Sequence, residues 1–279
     1  MSPMSQREII GAPCVPFTTD MDRLLAERDQ FQPVTTPELF ARLWLGSMPG
    51  LISGQSPDRN IFYSSYLSTY VERDVRELSG SVDALKFNRF VTAVAARCSQ
   101  LLNYKALTDD ADIDMPTAKN WVNILETLGI IFLLHPYSNN VLKRTIKTPK
   151  VYFYDTGLVC YLTRWSSPEV AESGAMSGAL LENFTVSEIM KSYQNAGLEP
   201  YLYFYRDRDA KEIDVILEGD GKLCPLEIKK TATPDKRLTR VFSVMDRSPL
   251  QLGTGAVLCM AEQFGAFDRD NLIVPIWMI

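Results

Sequence analysis

Histidine is almost missing from this chain: His135 is the single one in 279 residues. That excludes histidine-rich metal sites and argues against a Ser-His-Asp triad. Cysteine is sparse and scattered (Cys14, Cys98, Cys160, Cys224, Cys259), with no C-x-x-C pair. Such spacing reads as a reduced, cytoplasmic protein with buried thiols. Long apolar runs are also lacking. The longest, Leu128 to Leu134, is too short to span a bilayer, and the N-terminus lacks the apolar core of a signal peptide. No membrane association is expected. Basic charge is in the minority, 29 Lys and Arg against 34 Asp and Glu for a net −5. A broadly basic nucleic-acid coat is therefore excluded, and any such contact must be local. There is no G-x-x-x-x-G-K-[ST], because Gly219-Asp-Gly-Lys222 lacks the spacing, so nucleotide hydrolysis is unsupported. No internal repeat is visible.

What is present centres on Tyr201 to Thr231. The stretch reads as three strands: Tyr201–Tyr205, Glu212–Glu218 and, after a Gly219–Lys222 turn, Leu223–Lys229. With the turn centred on Asp220-Gly221, Asp214 falls opposite Glu227, and Asp214, Glu227 and Lys229 share one face. Val215, Leu226 and Ile228 take the other. Opposed residues sit with Cβ atoms roughly 4.5–5.5 Å apart, where like charges destabilise a sheet. Two carboxylates held so close call for a cation, and magnesium or manganese with its oxygen preference fits. Lys229 then balances charge or orients the attacking water, as in a metal-dependent phosphodiesterase. The bland alternative is a pair of solvated acids beside a hairpin. A register slip of one residue would send them to opposite faces. Pro225 inside the third strand predicts an edge or a bulge.

Hydrophobic content of 46% supports a buried core, and the length suits two small domains. Residues 1–57 are proline-punctuated and read as a leader packing on the rest. Helices are expected over Asn60–Leu78, with Ile61, Tyr63, Leu67 and Val75 inward, and Val82–Leu101, with Leu85, Phe87 and Phe90 inward. A short helix near Tyr104–Asp109 precedes a second that starts at an Asp114 cap, carries Ala118, Trp121, Val122 and Leu125 on one stripe, and stops at Gly129. Its other face offers Thr117, Lys119, Asn120 and Asn123 to phosphates or bases. Strands at Ile130–Leu134 and Val151–Tyr154 complete a winged helix-turn-helix. The wing, Val141 to Lys150, holds Lys143, Arg144, Lys147 and Lys150 with no acid, a local phosphate contact. The alternative is a winged helix that docks protein. Gly178–Asn195 is the next helix, with Ala179, Val186, Ile189, Met190 and Tyr193 on a stripe that includes Glu182. An inward carboxylate either joins Asp214 and Glu227 or pairs with a buried Lys or Arg. A helix near Asp235–Met245 and strands at Ala256–Met260 and Leu272–Ile279 continue a mixed α/β pattern.

Five segments together carry a resemblance: Tyr70-Val-Glu-Arg-Asp-Val75, Val151-Tyr-Phe-Tyr-Asp-Thr-Gly-Leu158, Leu180-Leu-Glu-Asn-Phe184, Lys211-Glu-Ile-Asp-Val215 and Leu226-Glu-Ile-Lys-Lys230. From about residue 5 to 260 the chain resembles the C-terminal portion of a prokaryotic family of AAA-type ATPases. That portion is a winged helix followed by a PD-(D/E)xK nuclease-like domain (domain of unknown function 4143). The resemblance implies a leader over 1–57 that is a remnant of the ATPase domain, a helical linker and winged helix over 58–158, and a restriction-endonuclease-like α/β domain over 175–279. It implies Glu182 and Lys229 as catalytic residues and Asp214 and Glu227 as metal ligands. The partners it implies are nucleic acid, with DNA first, and an ATPase domain or a second copy. The P-loop portion would lie upstream, so the chain reads as a truncated gene product or a stand-alone relative, and ATPase activity is not carried over. The function expected is magnesium-assisted cleavage of nucleic acid, and the alternative is a non-catalytic DNA- or protein-binding regulator.

Overall fold

The computed structural model describes residues 2–56, 58–80, 83–138, 148–207, 209 and 211–279, without the side chains of 70–72, 76, 79 and 247. The wing residues Lys143, Arg144 and Lys147 lie outside the described residues. The protein is mixed α/β. It divides into two compact units that cut across the sequence-read boundaries. Residues 1–4, 40–133 and 150–184 form the first, and 5–39, 134–149 and 185–279 the second. The leader is thus shared between them.

The first unit is largely helical. A helix over Arg59–Ser65 (α1) passes into a π-helical segment, Tyr66–Val71, and then a further turn, Glu72–Ser79. The π segment breaks the 3.6-residue period, so the stripe expected across it fails at its start. Ile61 is exposed while Tyr63, Leu67 and Val75 are buried. Asp83 caps Ala84–Ala95 (α2), accepting from Leu85 N and Lys86 N, and leaves Leu85 exposed rather than inward. Tyr104–Ala111 (α3) and Met115–Thr127 (α4) follow. The Asp114 carboxylate accepts from Thr117 N at 2.9 Å, and Gly129 ends the element at φ 65°. Trp121 of α4 meets Phe87 and Phe90 of α2 edge-on, each at 5.2 Å between centroids. Two strands come next, Ile131–Pro136 (β1) and Lys150–Phe153 (β2). Thr156–Leu162 (α5) and the start of Ser177–Asn195 (α6) complete the unit.

The end of β1 enters the second unit. There it pairs parallel with Leu202–Arg206 (β3), which pairs antiparallel with Glu212–Gly219 (β4). Next comes Lys222–Lys229 (β5), flanked on its other side by Gln251–Leu252 (β6) and then Gly255–Cys259 (β7). Asn271–Pro275 (β9) lies parallel to β7, with Gly265–Ala266 (β8) outside it. Pro225 sits in an interior strand, which corrects the expectation of an edge or bulge. Pairing with β6 ends at Leu223 and pairing with β7 begins at Leu226, so the residue without an N–H falls in the gap. A 3₁₀ stretch, Lys236–Arg247, carries the crossover from β5 to β7, and its Phe242 and Met245 pack on Ile213, Ile216 and Leu223. The final strand is shorter than expected. It stops at Pro275, and Ile276–Met278 turn into 3₁₀ helix.

Helix α6 is not the one-sided helix that its sequence suggests. Every residue from 183 to 189 is buried, polar ones included. In the second unit the leader supplies partners to Glu188, Ser192 and Tyr193. Phe17 N donates to Ser192 Oγ, Gln6 N donates to Glu188 Oε2, and Tyr193 Oη donates to Phe17 O. The Glu188–Lys191 pair, 2.7 Å apart, is almost wholly buried. No helix among the described residues is long and apolar enough to cross a membrane.

Candidate functional site

The site is built by a turn. Asp220 and Gly221 both adopt positive φ (51° and 72°), the primed geometry whose twist matches a two-residue hairpin. That turn sets Gly219 against Lys222 and carries the register to Val215 against Leu226. The paired ladder ends there, one position short of Asp214 and Glu227, and β4 shifts register against β3 between Ile216 and Ile213. Asp214 and Glu227 are each 8% exposed. Lys229, two residues along β5 from Glu227, returns to the same face. Its Nζ lies 2.7 Å from Glu227 Oε1 and 3.4 Å from Asp214 Oδ2. Asp214 Oδ2 also accepts from Ile228 N at 2.8 Å. The expected register is present from the turn to Val215 and Leu226, and Lys229 reaches both carboxylates.

One ammonium serves two carboxylates here. Burial pulls the Lys229 amine toward neutrality, but the charges of Asp214 and Glu227 and their hydrogen bonds outweigh it. The net effect holds its pKa above the ordinary lysine value, so Lys229 is a cation at neutral pH. The arrangement can hold a positive charge and donate a hydrogen bond. Val257 and Cys259 of β7 flank Glu227 and Lys229 across the parallel ladder. Among the described residues no group of three or more His, Cys, Asp or Glu is placed to hold a metal, so the acidic set here is a pair.

Glu182 lies in the first unit. Tyr152 Oη donates to its Oε1 at 2.7 Å, and Lys150 Nζ stands 3.1 Å from the same oxygen. Of the two alternatives read from its inward position, the ion pair with a buried lysine is what the geometry gives. Lys150 is only 4% exposed, so it is not the wing phosphate contact expected of it. Next to Glu182, Asn183 clamps β2 by accepting from Phe153 N at 2.7 Å and donating to Phe153 O at 2.9 Å. Leu180–Phe184 is thus a brace on β2.

The other motif of the first unit is equally structural. Asp155 caps α5 through Leu158 N and accepts from Tyr63 Oη and Ser47 N. Arg59 donates to Trp44 O and Gly157 O and lies 4.1 Å over the Trp44 ring. Gly157 has no room for a side chain, since a Cβ would meet Tyr63 Oη and the Gly46 backbone. The sequence reading missed this buried network of Arg59, Tyr63 and Asp155. An arginine and an aspartate each set among aromatics were the available signal.

On α4, Lys119, Asn120 and Asn123 are exposed and Thr117 is half-buried. Around the start of that helix lies a cavity of about 800 Å³ rimmed by Asp83, Asp109, Asp112 and Asp114, with Lys86 as the one cation among the described residues that line it. Carboxylates in that number repel phosphate.

Residues 36–169 match the model of a domain of unknown function (DUF8612), and residues 177–279 match that of another (DUF4143). The latter is typically found with AAA ATPases. The chain is 29% identical over 238 residues to an uncharacterized protein of Mycobacterium tuberculosis and, equally, to one of Mycobacterium bovis. The match covers 84% of this chain and 52% of each relative, so the chain spans about half the length of the curated relatives it matches. No solved structure matches it.

Proposed function

We propose that the β4–β5 hairpin is a metal-assisted phosphodiesterase site acting on nucleic acid. The observation that carries this reading is the buried Asp214–Glu227 pair sharing Lys229. The donor set suits magnesium or manganese: two hard carboxylates on one face, already drawing a cation in the form of the Lys229 ammonium. Asp214 and Glu227 would hold the ion. When bound, it supplies charge stabilisation at the phosphate and a more acidic water. Asp214 is fixed for this role by Ile228 N. Lys229 is held charged, so it orients a water or a phosphate oxygen by donating a hydrogen bond and does not act as the base. Glu182 is left out of the site, because Lys150 and Tyr152 engage its carboxylate. An ATPase domain as partner is part of the same proposal, suggested by the company that DUF4143 keeps.

The test is a melting curve in millimolar manganese together with a cleavage assay on single- and double-stranded DNA. A hundredfold excess over Kd adds about 2.7 kcal/mol, a shift of several degrees. Asp214→Asn is expected to abolish both the shift and any cleavage. A parent protein whose melting does not respond to manganese overturns the reading.

A second reading, a non-catalytic docking module, is favoured by the acidic rim at the start of α4. On that reading the first unit binds a basic protein surface, and duplex DNA does not bind even at low salt. Salt-dependent DNA binding that weakens when Lys143, Arg144 and Lys147 are changed to alanine rules it out.

A further inference from the structure

We infer that the first unit contains a second site, a pocket for a phosphate monoester, bounded by the π-helical segment and the end of α5. The cavity measures about 420 Å³, within the range of small-ligand sites. Its polar wall is formed by Ser64, Ser68, Thr92, Asn88, Tyr161 and Arg164, and among the described residues none that lines it is acidic. In a chain of net charge −5, a pocket with one guanidinium, three aliphatic hydroxyls, a phenol and an amide is a local exception. A phosphoryl group, with three or more oxygens, uses such a set of donors more fully than a carboxylate does.

Two backbone features point to the same place. Ser68 stands in the π segment, where the wider turn re-aims side chains that a regular helix would space evenly; such turns recur at functional sites. Arg164 is the second. Helix α5 ends in a Schellman motif, with Trp165 N bonded to Cys160 O and Arg164 N to Tyr161 O. The position that motif places in the left-handed region normally takes glycine, yet here it is Arg164 at φ 63°. A strained residue whose side chain lines a cavity is the pattern expected of a ligand contact. Beneath the pocket, Tyr161 packs on Tyr63, whose hydroxyl is tied to Asp155, so the floor is rigid.

This site is independent of the hairpin chemistry, and its test reads binding alone. Full-length protein is titrated by calorimetry with inorganic phosphate, with adenosine 5′-monophosphate and with citrate as a carboxylate control. Saturable binding of a phosphate probe is expected, and the two phosphates separate free phosphate from a nucleotide as the source. Arg164→Gly should weaken it at least about tenfold, the loss of a charge-assisted contact. The same variant should melt at or above the parent temperature, since glycine suits the left-handed position; a merely structural arginine would not give that combination. Asn88→Asp, which adds a carboxylate without changing shape, should weaken binding similarly and decides the matter if Arg164→Gly fails to fold. Absence of saturable binding by either phosphate, citrate binding as tightly, or full affinity in the variant that folds overturns the inference.

Discussion

Lys229 is the residue on which the hairpin turns. Two acids in adjacent register call for a cation, and the chain meets that demand with an ammonium from the same strand. Replacing it by methionine leaves Asp214 and Glu227 facing one another. Because Lys229 is partly exposed, the expected loss is about 1–2 kcal/mol, less than for a fully buried pair. The melting temperature should fall without metal, and the manganese-induced rise should exceed the parent's. A variant as stable as the parent would mean that the pair is not a charged one. The pH dependence has a definite sign. The folded pKa of Lys229 is raised, so its contribution is present below the ordinary lysine value of about 10.4 and fades as pH climbs above it. Urea titrations of parent and Lys229→Met should converge at that alkaline end. The buried Glu188–Lys191 pair gives a harsher case. Lys191→Met strands a carboxylate in the interior and should destabilise by about 3–5 kcal/mol in denaturant titrations.

At the scale of elements, the turn decides whether a site exists. Asp220 and Gly221 hold positive φ, and the strand register counts outward from them. Gly221→Val forces a branched side chain into the left-handed region, at roughly 1–2 kcal/mol. If the hairpin slips by one residue to relieve that strain, Asp214 and Glu227 part to opposite faces. The variant is therefore expected to lose the manganese response along with a few degrees of stability, both readable in one melting series. Opposite the site, Phe242 is 3% exposed and anchors the β5–β7 crossover on Ile213, Ile216 and Leu223. Phe242→Ala should cost about 3–5 kcal/mol in chemical unfolding. Helix α6 shows why an element's pattern can mislead. Its polar residues face partners supplied by residues 6 to 17 and by β2, so a stripe drawn from apolar residues alone assigns it one buried face.

For the whole molecule, the cysteines report folding. All five are free, and Cys98, Cys160 and Cys259 are buried while Cys14 and Cys224 are partly accessible. At most two thiols should react with Ellman's reagent in the native protein, and five in guanidinium. Burial pushes the Cys160 thiol up to about 12. An unfolded thiol ionises above about 8.5, so the unfolded state releases protons that the folded state keeps, and stability falls as pH rises from about 9 toward 12. Tyr66 and Tyr193, also raised by burial to about 12, add to the same alkaline slope.

The hairpin was legible in the amino-acid sequence because its information is local. Alternation, a two-residue Asp-Gly turn and counting outward were enough to set the register to Val215 and Leu226 and to bring Lys229 to both Asp214 and Glu227. The helix start at Asp114 was legible for the same reason, since a cap lies within three residues of the N–H it accepts from. Other assignments depended on partners far along the chain. Glu182 has the residue type a nuclease site asks for, but Lys150 and Tyr152, some thirty residues earlier, engage its carboxylate. The leader reads as irregular, yet Phe17 is buried with its N–H on Ser192 in the second half of α6, and Arg7 is buried against Glu27 and the Phe31 ring. Pro225 looked like an edge signal until β6 and β7 left a gap for it. Short-range hydrogen bonding and side-chain alternation are written in neighbouring residues. Which charge meets which counter-charge is settled only when distant segments pack, and the tertiary structure alone decided it.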